Sequence, residues 1–269
     1  MPCSLIYQYY GILTFNYIST IHDLTQRNNS LLFSNTPDDN DFAEKLASLC
    51  EKNDYKNVLI YYLENTSGIS LSNSFELSCN NLGIEVVNRD SYDLTTLNKS
   101  IDRTVKKWKT NFNFDAVFIA GRMPIIKNII QVIRENNLEC PIIGADPFDD
   151  PLLAKELPES ENGRIFAVSN YNSQSKNINF REFYDSFQKK FGTEPDQEAF
   201  QVYDALIVLA KAISYANSAE PEKIAHFLRK NLWYEAAGPY SFHENGAIKD
   251  RNLTIKVFNN GFFEEYDTN

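Results

Sequence analysis

The chain has 269 residues, 43% of them hydrophobic, with 26 Lys and Arg against 36 Asp and Glu and a net charge of −10. That composition supports one large or two small packed domains. The acidic balance argues against a nucleic-acid backbone or an anionic membrane surface as the main partner. No apolar run reaches the roughly 18 residues of a transmembrane helix, so no membrane insertion is expected.

Residues 1–11 lack a basic start and a clean apolar stretch, so they do not read as a signal peptide. They read as the interior of a folded domain, with a strand over about 11–16. Phe42, Leu46, Leu49 and Cys50 then recur at helical spacing. Residues 58–63 form a short continuous apolar run, and 84–87, 116–121 and 141–144 are similar. Such runs suit strands buried on both faces of a parallel sheet. Between them, Leu97, Ile101, Val105 and Trp108 mark one helix, and Ile125, Ile126, Ile129, Ile130 and Ile133 mark another. The alternation predicts a parallel sheet with right-handed crossovers and helices on both faces.

After about residue 169 the pattern becomes helical. Phe180, Phe183, Phe187 and Phe191 mark one helix, Phe200, Tyr203, Ile207 and Ala210 a second, and Ile224, Phe227 and Leu228 a third. Asn245-Gly246 and Asn260-Gly261 are hairpin-turn pairs, the second flanked by strand-like runs at 254–258 and 262–266.

Ligands of open parallel sheets bind beyond the carboxyl ends of the strands. Four such loops can be read: 16–20, 64–68, 121–124 and 145–150. Ser19 or Thr20 precedes a helix start at Ile21, either as a cap or beside a helix N-terminus able to receive a carboxylate. Arg122 is either a solvated charge or a clasp for an anion. Asp146 either turns the chain before Pro147 or holds an ammonium group.

No cofactor is expected, because no GxGxxG or Walker motif occurs. Asp146, Asp149 and Asp150 lack the glycine and terminal glutamate of a calcium loop, so no metal is expected there. Cys3, Cys50, Cys79 and Cys140 are widely spaced, without a CxxC pair. They read as free thiols, with a Cys50–Cys79 bridge as the alternative. No nucleophile–base set is present, so an enzyme is not expected.

Four stretches carry a family resemblance. They are Ile18-Ser-Thr-Ile-His-Asp-Leu-Thr25 with Leu32-Phe-Ser-Asn-Thr-Pro-Asp-Asp39, then Val58–Leu63 with Ser67-Gly68. The third is Asp115-Ala-Val-Phe-Ile-Ala-Gly121 with Pro141-Ile-Ile-Gly-Ala-Asp146. The last is Tyr203-Asp-Ala205, Gly238-Pro-Tyr-Ser-Phe242 and Asn245-Gly246. In order and spacing the chain resembles the leucine/isoleucine/valine-binding proteins, the type I periplasmic substrate-binding proteins of ABC transporters.

The resemblance implies an α/β fold of two Rossmann-like parallel-sheet lobes joined by a hinge, closing on an amino acid or similar small polar ligand. It implies a membrane permease as partner and a periplasmic location, with cytoplasmic retention as the alternative for a chain without a signal peptide. A sensor or partner-binding domain of the same fold is the alternative role. The implied ligand-binding residues are Ile18 through its backbone, Thr20 through its hydroxyl at the ligand carboxylate with Ser19 beside it, Ser67, Arg122, and Asp146 at the ligand ammonium. Ser67 and Arg122 stand where the family often has aromatic residues, which makes a polar or acidic ligand the better expectation than a leucine-like one.

Against the family pattern the chain opens near the first lobe's fourth strand, so about three βα units of roughly 30 residues each are unmatched and the first lobe is expected to be incomplete. The expected division is 1–37 as a remnant of the first lobe, 38–168 as the second lobe, 169–240 as first-lobe helices and 241–269 as strands returning to the second lobe. A first lobe of that kind is expected to expose apolar surface and self-associate, and the chain, as a truncated or non-functional copy, to bind amino acids weakly or not at all.

Overall fold

A computed structural model describes residues 2–170, 177–249 and 253–266. The chain divides into two compact units, the first Met1–Asp38 with Asn170–Asn252, the second Asp39–Ser169 with Leu253–Asn269. The first unit opens with helix α1 (Pro2–Tyr9) and strands β1 (Thr14–Asn16) and β2 (Leu32–Ser34). The second unit follows as α2 (Asp39–Lys52), β3 (Asn57–Leu63), α3 (Thr66–Asn81), β4 (Glu85–Tyr92), α4 (Leu97–Asn111) and β5 (Ala116–Ala120). It continues through α5 (Ile125–Glu135), β6 (Ile142–Gly144), α6 (Pro151–Glu156) and β7 (Ile165–Ser169). The chain re-enters the first unit with α7 (Ile178–Phe191), α8 (Gln197–Ala216), α9 (Pro221–Lys230), β8 (Trp233–Glu235) and β9 (Gly238–Tyr240). It ends in the second with β10 (Thr254–Asn259) and β11 (Phe262–Glu265).

The second unit is built on one seven-stranded sheet in the order β11-β10-β7-β6-β5-β3-β4. β4, β3, β5, β6 and β7 are mutually parallel, while β10 and β11 pair antiparallel. The apolar runs divide by strand alternation. Leu59, Tyr61 and Leu63 enter one core with Trp108 of α4 and Ile126 and Ile129 of α5. Val58 and Ile60 enter the other with Phe42 of α2 and Phe75 of α3. Both faces of the sheet are therefore covered, as a parallel sheet requires. Asn260 and Gly261 have φ of 49° and 86°, the left-handed pair of a two-residue turn between β10 and β11.

α3 buries Gly68, Ser72, Phe75 and Cys79 at helical spacing, a stripe in which Phe75 alone is large. All four cysteines are free thiols. Burial raises the Cys79 thiol to about 12, with the neighbouring Glu76 charge adding to the shift.

In the first unit β1 and β2 pair parallel. This corrects the single strand expected there: Leu32 and Phe33 are fully buried and give β1 a partner. A second difference concerns residues 241–252, expected with the second unit. Phe242 and Ile248 form an antiparallel bridge around the Asn245-Gly246 turn. Both pack with Phe33, Trp233 and Tyr240 in the first unit's core, which explains the grouping. By length and composition α8 is apolar enough to cross a membrane, which the sequence reading did not anticipate. Its Phe200, Ala205, Val208 and Ala212 are buried, as are Gln201 and Asp204. The Gln201 amide donates to Thr36 Oγ1 and the Asp204 carboxylate receives backbone N–H groups, so α8 is a packed helix of this unit.

Most of the large exposed apolar side chains among the described residues belong to the first unit, including Ile6, Tyr9, Tyr10, Leu206 and Tyr215. Among the described residues β1 has a strand partner on one side only. Light scattering of the 269-residue chain is expected to show association that grows with concentration. A monodisperse monomer at all concentrations contradicts it.

In the second unit Asp90 receives hydrogen bonds from Trp108 Nε1 at 2.7 Å and Asn88 Nδ2 at 2.6 Å, with Lys107 Nζ 3.2 Å away. Burial acts to raise its pKa, but those three donors outweigh it and hold the carboxyl below the ordinary range. A depressed carboxyl stabilises the fold above its unfolded pKa and loses that contribution as pH falls through the folded value. Asp90→Asn is expected to lower stability by about 1 kcal/mol at pH 7. In chemical denaturation the gap between the two proteins should begin to narrow as pH falls below the unfolded carboxylate value, about 4, and close only below the lower folded value.

Candidate functional site

The six sequence-derived residues all fall at carboxyl ends of parallel strands, three in each unit. In the first unit Ile18, Ser19 and Thr20 follow β1. The Asn16 side chain organises this turn. Its Oδ1 accepts the Ser19 N–H at 3.0 Å, and its Nδ2 donates to the Ser19 carbonyl and to Ser34 Oγ, both at 2.8 Å. One amide thus fixes the Ser19 backbone and ties the end of β1 to the end of β2. Ile18 is exposed, and Ser19 and Thr20 are half-buried.

The expected helix at Ile21 is only a single 3₁₀ turn, His22–Leu24, whose N-cap position is Ile21. Neither Ser19 nor Thr20 caps it, because Asn16 has already fixed the turn before it. The capping expectation is therefore corrected. Beside this turn, His22 Nδ1 lies 2.6 Å from Asp38 Oδ2.

In the second unit Ser67, Arg122 and Asp146 follow β3, β5 and β6, three consecutive neighbours in the sheet. Ser67 is the second residue of α3 and is exposed. Asn65 caps the helix by accepting the Gly68 N–H at 2.8 Å. Gly68 is required by close approach, since a Cβ there would overlap the Leu63 carbonyl at the end of β3. That contact fixes where α3, and with it Ser67, leaves the strand.

Arg122 lies in the loop between β5 and α5, and its carbonyl accepts the Ile125 and Ile126 N–H groups that start α5. Its guanidinium is exposed and makes no ion pair or hydrogen bond among the described residues. Asp146 begins a one-turn 3₁₀ segment after β6 and is half-buried. The two aspartates after it have separate structural roles. Asp149 Oδ2 lies 2.6 Å from Lys256 Nζ, and Asp150 caps α6 by accepting the Leu152 and Leu153 N–H groups. Asp149 is thus committed to an ammonium group, and no cluster suited to a metal ion occurs among the described residues.

Sequence reading passed over two residues at these ends. Asn16 could have been found from its spacing to Ser19, since an Asn side chain accepting the N–H three residues on is a common local turn. Tyr92, the last residue of β4, is 2% exposed, with its ring 4.8 Å from that of Tyr61. Its hydroxyl has no hydrogen-bond partner among the described residues and faces Gly121, where an added Cβ would lie 2.5 Å from it. Burial pushes the Tyr92 phenol up, and the Arg122 charge opposes part of that rise. No sequence pattern marks a tyrosine of this kind.

The family model described as "Periplasmic binding protein" matches residues 6–261. The chain belongs to that family. It is 22% identical to the leucine-, isoleucine-, valine-, threonine- and alanine-binding protein of Pseudomonas aeruginosa over 258 residues, 94% of this chain and 67% of the relative. It is 25% identical to the Leu/Ile/Val-binding protein of Citrobacter freundii over 92% of this chain and 66% of the relative. The chain thus spans about two thirds of the length of these relatives.

Among solved structures, an ABC transporter substrate-binding protein from Desulfitobacterium hafniense in complex with Leu superposes with a TM-score of 0.81 at 26% identity, covering 98% of this chain and 76% of that one. A leucine-binding protein from Thermotoga maritima superposes with a TM-score of 0.85 at 23% identity, covering 98% and 75%. The fold is the type I periplasmic binding fold, and the family is one of solute-binding proteins rather than enzymes.

Proposed function

We propose that the chain is a solute-capture protein of the periplasm that takes up an amino acid or similar small polar ligand and presents it to the permease of an ABC transporter. The observation that carries this reading is the family match along the chain, together with strand-end loops that hold an acid and a base on neighbouring strands. Asp146 would receive the ligand ammonium, Thr20 and the Ser19 backbone its carboxylate, and Ile18 and Ser67 would line the ligand. Charge-assisted hydrogen bonds of this kind are the strong ones, and water exclusion strengthens them further.

Titration calorimetry against a panel of amino acids tests the reading. One or more should bind with saturable heat, and heat without saturation for every member contradicts it. Losing the ammonium contact in Asp146→Ala should weaken binding by about ten-fold or more. Unchanged affinity in that variant removes Asp146 from the site.

A further inference from the structure

The turn that carries Ile18, Ser19 and Thr20 is fastened at both ends to one short segment, residues 34–38. At its start, Asn16 Nδ2 donates to Ser34 Oγ at 2.8 Å and the Asn16 carbonyl accepts the Asn35 N–H at 3.1 Å. At its end, His22 Nδ1 lies 2.6 Å from Asp38 Oδ2. Ionised, that carboxylate can only accept, so Nδ1 carries the shared proton. The segment is held in its middle by α8. There Asn35 Nδ2 donates to the Gln201 carbonyl at 2.9 Å, and Gln201 Nε2 donates to Thr36 Oγ1 at 3.2 Å. Pro37 then supplies no N–H. Asp38 is the last residue of the first unit before the chain passes to Asp39, which opens α2 of the second. Packing holds the turn weakly, since Tyr17 is 38% and Ile18 52% exposed. The His22 and Asp38 side chains are 40% and 23% exposed, so their pair adds little to the stability of the unit as a whole.

We infer that His22 and Asp38 are positioning residues for the ligand-carboxylate contact: their hydrogen bond locks the Ser19–Thr20 turn to the segment by which the chain leaves the first unit. This rests on the proposed solute-binding role and deepens it. Only residues 17–21 lie between the two anchors, so with both made the Ser19 backbone and the Thr20 hydroxyl meet a carboxylate already in position. With the second anchor released, the turn regains backbone freedom that ligand binding must withdraw again. Asn16 cannot replace it, because Asn16 grips the segment before its ties to α8 and His22 grips it after them. A ligand that orders the turn therefore orders Asp38 with it, and a change of backbone setting at Pro37–Asp38 is passed back to Thr20, the reciprocity that any coupling of two sites requires.

The test combines hydrogen exchange with calorimetry against the amino-acid panel, on the 269-residue chain and on His22→Ala, Asp38→Ala and His22→Asn. The Ser19 and Leu24 amides report the turn, being bonded to Asn16 Oδ1 and to the Ile21 carbonyl. Each alanine variant should speed their exchange by about ten-fold and weaken the amino acid that binds best by about ten-fold, on the order of the cost of ordering one backbone residue. The double alanine variant should match either single one within about two-fold, because both remove the same bond. His22→Asn places an amide N–H where Nδ1 stood, so it should return both readouts to within about three-fold of the parent. All variants should melt within about 3 °C of the parent, because the pair is part-exposed. Exchange of the turn unchanged in both alanine variants overturns the inference. Faster exchange with unchanged affinity overturns it too and leaves the solute-binding role standing, as does an affinity that His22→Asn fails to recover. Saturation of the parent by no amino acid overturns the solute-binding reading and the inference together.

Discussion

Replacing Lys256 with alanine should destabilise the second unit by about 3–5 kcal/mol, the range for removing one partner of a buried ion pair. Lys256 lies on β10 between Ile255 and Val257, which point into the core shared with α2 and α3. Alternation sends Lys256 to the opposite face with Phe258, where its side chain is 3% exposed. Its ammonium lies 2.6 Å from the Asp149 carboxylate, itself 7% exposed. The truncation strands that carboxylate in a dry environment and also opens a cavity the size of a lysine stem. Urea unfolding followed by Trp108 fluorescence in a Trp233→Phe background reads the second unit. Lys256→Met combined with Asp149→Leu should recover most of the loss, because uncharged side chains of similar volume remove the desolvation cost with the attraction. A single-variant loss below about 1 kcal/mol would place the pair in an effectively solvated setting.

Lys256 also shows where sequence reading stopped. Residues 254–258 read correctly as a strand, but a lysine between two apolar residues reads as solvent-facing. Only the position of Asp149, more than a hundred residues away in the chain, makes it an inward residue. The central strands were legible because 58–63 and 116–121 are continuous apolar runs, which a parallel sheet covered on both faces demands. α3 left no apolar stripe, since two of its four inward residues are Gly68 and Ser72, and it packs by close approach rather than by bulk. At the candidate site, the strand-end positions of Ser67, Arg122 and Asp146 followed from the alternation of strands and helices. The partners that give them meaning did not. Tyr92 is separated from Gly121 by a whole helix, and only the strand order brings its hydroxyl there. Asn16 was within reach, and its grip on Ser19 replaced the helix cap that local spacing suggested.

Asp204→Ala is expected to cost the first unit about 3–5 kcal/mol, from several buried donors losing their acceptor at about 1–3 kcal/mol each without full additivity. Asp204 is fully buried on α8. Its Oδ1 accepts the Ala236 N–H at 2.9 Å, and its Oδ2 accepts the Ala237 N–H at 2.7 Å and the Tyr240 hydroxyl at 2.6 Å. One carboxylate therefore fixes the turn between β8 and β9 and anchors the tyrosine that ends β9. The short sequence Tyr203-Asp-Ala205 then has a physical reason: the acid pins the hairpin, and Ala205 beside it is small and buried. Asp204→Asn keeps the size and one acceptor oxygen but presents an NH₂ group to donors, so its loss should be smaller, about 1–3 kcal/mol. Trp233 on β8 is 2% exposed, within the affected hairpin, so its fluorescence in a Trp108→Phe background reads the transition directly. In the complementary Trp233→Phe background the Trp108 transition should stay where it was. An unchanged Trp233 midpoint in Asp204→Ala would mean that the hairpin is held by the packing of Trp233 and Tyr240 alone, with the carboxylate contributing nothing.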